Sequence, residues 1–169
     1  MASINPLNSQ GTRIYVVDKP ATDWADCTEA VAAILAGKQV LCPQSLGNLE
    51  QTRSVTEYKC LSSNDSAKIT GAISRGSLDI GMLFDPLDAA GQASFWQLFA
   101  DNDEFVIGIE YPDRDDTVGI TDMSGTIRWF DAIISREAEV IEMDAAIIYE
   151  ITAEVASNIN KCPAVPGTA

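Results

Sequence analysis

Period-two alternation of apolar and polar residues limits the folds open to this chain more than any other property. In Gly76–Phe84, Leu78, Ile80, Met82 and Phe84 fall on one side, with Ser77, Asp79 and Gly81 on the other. Phe105, Ile107, Ile109 and Tyr111 repeat the pattern. Across Ile127–Ile141 the even positions Phe130, Ala132, Ile134, Ala138 and Val140 oppose Asp131, Ser135, Glu137 and Glu139, and a bend is expected near Ser135-Arg136. Ala145–Ala156 has the opposite parity: Ile147, Tyr149, Ile151, Ala153 and Val155 point inward, Glu150, Thr152 and Glu154 outward. Successive side chains of a strand face opposite ways, so each segment reads as a half-buried strand. Long strands with open edges invite aggregation, and pairing with a second copy of the same chain is one way to cover them.

The remaining elements are shorter. Thr12–Val17 is rich in β-branched and aromatic residues and reads as a first strand. Asp23 is expected to cap a helix with Cys27, Val31, Ile34 and Leu35 on one face and Gly37 at its left-handed end. A short strand is expected over Leu46–Thr52, followed by a long polar loop, Arg53–Arg75, around Ser62-Ser63-Asn64-Asp65-Ser66. Asp85-Pro86 is expected to open a second, main helix reaching about Ala100, with Phe95, Leu98 and Phe99 as its apolar stripe. Pro112–Asp122 reads as an acidic loop, and Ser157–Ala169, with two prolines and a glycine, as an irregular arm. The expected architecture is mainly β (α+β): an antiparallel β-sandwich or barrel with one flanking α-helix. Residues 1–156 form a single domain and 157–169 a C-terminal arm.

Charge and composition exclude several function classes. The 25 acidic and 11 basic residues give a formal charge of −14, whereas nucleic-acid readers displace counterions with a basic face. No histidine is present, which removes Ser-His and Cys-His nucleophile systems. A carboxylate-pair hydrolase stays open, but 25 acids do not single out a pair. No apolar run reaches the roughly 20 residues of a membrane helix, and Met1–Gln10 lacks the pattern of a secretory signal. The chain is therefore read as folding in a reducing cytosol. Cys27, Cys42, Cys60 and Cys162 have no CxxC spacing and read as buried or idle thiols. Asp113-Arg114-Asp115-Asp116 with Asp122 lacks the order of a calcium loop. No cofactor or metal is expected. Trp24, Trp96 and Trp129 are candidates for packing or for a sugar platform.

One ordered set of motifs is distinctive. Thr52-Arg53-Ser54 leads through Tyr58-Lys59-Cys60-Leu61-Ser62 to the polar loop. Gly76-Ser77-Leu78-Asp79-Ile80-Gly81-Met82-Leu83-Phe84-Asp85-Pro86 follows, then Ala89-Ala90-Gly91-Gln92 and a helix ending in Leu98-Phe99-Ala100. Phe105-Val106-Ile107-Gly108-Ile109 and the closing strands complete it, over residues 45–156. In this order of motifs the chain resembles the major tail proteins, or tail tube proteins, of long non-contractile-tailed, lambda-like bacteriophages (siphoviruses).

The resemblance implies a structural virion protein and no enzyme. Hexameric rings would stack into a hollow tube, with a tape-measure protein, a tail terminator and tail-tip proteins as partners. Phage DNA would pass the lumen without specific binding. Assembly would occur in the host cytoplasm, the destination would be the virion tail, and no membrane would be involved. The loop Arg53–Arg75 would reach a neighbouring ring or subunit, with Arg53, Glu57, Tyr58, Lys59, Asp65, Lys68 and Arg75 as its contact residues. An acidic lumen wall is implied, and strand parity makes Asp131, Glu137, Glu139, Glu150 and Glu154 its candidates. A tube protein of a contractile injection system and a carbohydrate-binding β-sandwich are the alternatives.

Overall fold

A computed structural model describes residues 10–59, 66–88, 90–113, 124–143 and 145–164. The alternating segments are strands: β1 (Arg13–Asp18), β6 (Ser77–Leu83), β7 (Phe105–Glu110), β8 (Ile127–Val140) and β9 (Ile148–Val155). Between β1 and β6 lie helix α1 (Cys27–Leu35), short strands β2 (Lys38–Gln39) and β3 (Pro43–Leu46), and strands β4 (Gln51–Lys59) and β5 (Ser66–Arg75). Helix α2 (Gly91–Asp101) follows β6, and β10 (Asn160–Cys162) ends the described chain.

The main sheet is antiparallel, in the order β2-β1-β7-β8-β9-β6-β3. Its two ends meet, because β2 and β3 belong to one continuous segment that turns at Cys42, where φ is 50°. The Val40 amide donates to the Ile14 carbonyl on one side, and the Leu83 amide donates to the Cys42 carbonyl on the other. Hydrogen bonding therefore runs around a closed barrel, which removes the open edges that a flat sheet would carry. The expected mainly β architecture, an antiparallel sandwich or barrel, is observed, with two helices, α1 and α2.

The barrel interior holds the inward faces of the alternating strands. Ile14, Val16, Leu78, Ile80, Met82, Ile107, Ile109, Phe130, Ala132, Tyr149, Ile151 and Ala153 are buried there. Helix α2 sends Phe95 into this core, edge-on to Phe105 at 6.1 Å between ring centroids. Leu98 is half-buried, whereas Phe99 is exposed, so the helix's apolar stripe is narrower than expected. The helix starts at Gly91, later than Asp85-Pro86 implied. Asp85-Pro86-Leu87-Asp88 is a turn, with the Asp88 amide donating to the Asp85 carbonyl. The Asp88 carboxylate then caps the helix, accepting from the amides of Gly91 (2.8 Å) and Gln92 (3.3 Å). It also accepts from Leu41 (3.4 Å), which ties the helix start to the closing segment.

A second cluster lies outside the barrel. Helix α1 packs Ala30, Val31 and Ile34 over Tyr15, Ile127 and Cys162, with Trp24 and Trp129 at the margin. Gly108 on β7 permits this approach, since a Cβ there would collide with Ile34. The cap is Asp26, whose carboxylate accepts from the Glu29 amide at 2.9 Å, and Asp23 has no such role. The expected left-handed Gly37 is not observed: the C-cap is Ala36 in right-handed geometry. Gly37 serves a close approach instead, since a Cβ would lie 2.6 Å from the Val17 side chain.

Three further expectations are corrected. The strand expected at Leu46–Thr52 is displaced to Pro43–Leu46, where it pairs with β6. The arm begins as structure: Asn160–Cys162 pairs with Ile127–Trp129 of β8, on the edge that β9 occupies farther along. Cys27 and Cys162 are not idle thiols but a disulfide, with Cα atoms 5.5 Å apart, joining α1 to β10. Cys42 is exposed, and Cys60 lies outside the described residues.

Candidate assembly surfaces

The described residues of the segment Arg53–Arg75 form two paired strands, not a loop. Strands β4 and β5 form a separate two-stranded sheet in which every described residue is exposed. Polar composition hides the strands, yet β-branched and aromatic residues recur along both: Thr52, Val55, Thr56, Tyr58, Ile69, Thr70 and Ile73. Residues directly opposite in an antiparallel pair share a face. Tyr58↔Ala67 and Thr56↔Ile69 therefore build one uncharged, largely apolar face; the register shift between Arg53 and Val55 leaves Arg53↔Ile73 with Val55↔Thr70, Glu57↔Lys68 and Lys59↔Ser66 on the other, charged face. On the apolar face Tyr58 is 55% exposed and Ile69 58%. At its base the hairpin is held by the Gly76 amide on the Glu50 carbonyl and by Arg75 donating to Asn158 at 2.7 Å. Of the predicted contact residues, Asp65 lies outside the described residues; the other six stand on this hairpin. An isolated two-stranded hairpin is marginally stable in water, and no described residue of β4 or β5 is buried.

The five acids predicted to share a wall divide between two faces. Register shifts between Ile134 and Arg136, where Ser135 is the extra residue of a bulge. The expected bend is thus present, but an extra residue also reverses parity. Glu137 lies opposite Ile151 and Glu139 opposite Tyr149, on the side continuous with the barrel interior. Burial raises the Glu137 carboxyl above the ordinary range, and Glu139 adds to the shift. Burial and then these two carboxylates likewise push the Tyr149 phenol up.

Asp131, Glu150 and Glu154 occupy the outward face, joined by Asp79 of β6, which parity identifies but which was not among the predicted residues. Asp79 accepts from the Thr152 hydroxyl at 2.6 Å and Glu154 from the Ser135 hydroxyl at 3.0 Å. Glu150 lies 3.6 Å from Arg136. Lys19 bridges Asp131 (3.0 Å) and Glu104 (2.7 Å), and these two acceptors hold its ammonium above the usual lysine range.

Other candidates prove structural. Trp24 and Trp129 pack edge-on at 4.7 Å beside the α1 cluster, and Trp96 packs against Phe84 and Tyr149. Buried Glu110 escaped sequence reasoning; it accepts from the Tyr15 hydroxyl at 3.2 Å and the Gly125 amide at 3.0 Å. Asp113 likewise accepts from the Thr126 amide at 2.6 Å. Among the described residues no group of three or more acids and cysteines is arranged to hold a metal, and no helix is long and apolar enough to cross a membrane.

No protein-family model and no curated protein matches the chain. Solved structures do. A chain of the sheath/tube terminator of an extracellular contractile injection system superposes with a TM-score of 0.66 at 12% identity, covering 95% of this chain and 99% of that one. A chain of the anti-feeding prophage baseplate, a six-fold symmetrised assembly, gives 0.65 at 10% identity over 95% and 98%. The SPP1 tail tube gives 0.62 at 14% identity over 94% and 80%. The barrel with its flanking helix is therefore a fold this chain shares with chains of phage-like tube, cap and baseplate assemblies.

Proposed function

We propose that this chain is a tail tube subunit of a long-tailed bacteriophage, assembling into stacked hexameric rings around a lumen that conducts phage DNA. The observation that carries the reading is the β4–β5 hairpin, a two-stranded sheet whose described residues are all exposed and which presents Tyr58, Ala67 and Ile69 on one face. In an assembly of identical subunits that face would lie on a neighbouring copy, and the barrels would form the wall. Six-fold symmetry is supported by the six-fold baseplate and by the C6 tail of a gene transfer agent, a chain of which has the same fold at 13% identity and a TM-score of 0.61. A tape-measure protein, a terminator and tip proteins would be the partners. The role needs no covalent chemistry; geometry and charge carry it.

Deleting residues 62–68 should abolish tubes while leaving the melting temperature of the barrel unchanged within about 2 °C, since the hairpin buries nothing in the core. Sedimentation velocity and a thermal melt read both quantities. Tubes of ordinary length from this variant would remove the hairpin from the account.

Within the tube, the outward face with Asp79, Asp131, Glu150 and Glu154 is the proposed lumen wall. Phosphates are repelled at short range, and screening over roughly 8–10 Å keeps the effect local. Changing Asp79, Glu150 and Glu154 to lysine should convert tubes that ignore DNA into tubes that retain it at low salt and release it at high salt. A filter-binding titration checks this; unchanged DNA indifference would place the lumen elsewhere.

A second reading has a specific support. The injection-system terminator, the anti-feeding prophage baseplate and its tube-terminating cap match at TM-scores of 0.66, 0.65 and 0.64, against 0.62 for the SPP1 tail tube. The chain would then be a tube or cap subunit of a contractile injection system, and binding of a sheath protein to its tubes would favour that role.

A further inference from the structure

The mouth of the barrel at the start of β8 contains an open groove of about 660 Å³ walled by Ile14, Pro43, Leu46 and Tyr111. Arg128 and Lys161 reach it from neighbouring strands and lie directly opposite each other in the β8–β10 register. Like charges directly opposite on a sheet are unfavourable. Neither cation makes an ion pair among the described residues, and the Arg128 Nε is buried with no hydrogen-bond partner. Asp113, also in the groove, is committed to the Thr126 amide and hydroxyl. On a chain of net charge −14, two adjacent cations without an ion pair among the described residues, in a cleft of mixed polar and apolar lining, form a site for an acidic group that arrives with some apolar surface.

The opposite end of the same strand carries such a group. Beyond β8 the chain turns outward with Ile141 69% and Met143 93% exposed, flanked by exposed Glu139 and Glu142. The distance along β8 from Arg128 to this turn is about 40 Å at the usual rise per strand residue. Cleft and turn therefore sit at opposite ends of the barrel and match in both charge and apolarity. We propose that the groove receives the Ile141–Met143 turn of a second copy, with Glu139 and Glu142 of that copy meeting Arg128 and Lys161. Copies then join head to tail. Such a contact is heterologous, and because each copy keeps one free groove and one free turn, it propagates along an axis. This inference rests on the tube reading and deepens it, assigning the contact that stacks one ring on the next.

Two charge-reversal variants test it as a pair: R128E/K161E reverses the groove and E139K/E142K the turn. Each alone should fold, by circular dichroism, and should fail to stack, raising the concentration needed for assembly by roughly tenfold or more. An equimolar mixture should assemble again, because the acidic turn of the first variant fits the basic groove of the second, and the basic turn of the second fits the acidic groove of the first. If wild-type protein stacks and either folded variant stacks equally well, the groove–turn contact is wrong while the tube reading stands. A folded pair whose mixture stays unassembled overturns it too. Thermal stabilisation of wild-type protein by inorganic phosphate, lost in R128E/K161E with assembly unaffected, would assign the groove to a small anion instead. Wild-type protein that never self-associates at its solubility limit would defeat the tube reading and this contact together.

Discussion

Replacing Cys27 with serine should lower the thermal midpoint by about 10 °C, the largest effect expected from a change outside the barrel interior. The Cys27–Cys162 disulfide joins residues 135 apart in sequence. Closing a loop of that order removes about 4–5 kcal/mol of unfolded-state freedom on the chain-entropy account, and measured losses run at about 2–5 kcal/mol. In a domain of this size each kcal/mol moves the midpoint by about 2–4 °C. The bond also fixes α1 against β10, so its loss should free the Ala30–Val31–Ile34 packing over Tyr15 and Ile127. Calorimetry should give the same drop for oxidised protein treated with reductant and no drop for Cys42→Ser, whose thiol is exposed and unpaired. Equal midpoints for Cys27→Ser and wild type would mean that α1 is held by packing alone.

Phe95→Ala should cost about 3–5 kcal/mol, the usual range for deleting a fully buried aromatic ring. Phe95 has no exposed surface and is the ring that α2 places inside the barrel, against Phe105. Four residues on, Phe99 is 42% exposed, and its replacement by alanine should cost under about 1 kcal/mol. Urea unfolding of the two variants measures the contrast. Equal losses would mean that the apolar stripe of α2 is buried as deeply at Phe99 as at Phe95, contrary to their observed exposures.

How far the sequence revealed this molecule depended on the range of the interaction. Alternation in Gly76–Phe84, Phe105–Tyr111 and Ala145–Ala156 identified strands and their inward faces, because a half-buried strand writes its period directly into the residues. The bend at Ser135-Arg136 was legible, but the reversal of parity beyond it was not, since one inserted residue moves Glu137 and Glu139 to the other face without changing composition. The Arg53–Arg75 hairpin read as a loop because its strands are built from Thr, Ser and Lys as much as from Val and Ile, and nothing buries them. Asp88 displaced Asp85 as the α2 cap because it also holds Leu41, a partner 47 positions away. The Cys27–Cys162 bond and the Arg128–Lys161 juxtaposition depend on β10 lying beside β8, which no local pattern records.

Negative-stain electron microscopy of purified wild-type protein, concentrated at moderate salt to screen its charge and seeded with tail-tip complexes, shows whether the chain builds a tube. Six-fold rings and smooth hollow tubes of uniform diameter, formed without a sheath protein, are the expected result. A population that stays monomeric under those conditions would contradict the tube reading, leaving the exposed hairpin as a docking element for some other partner.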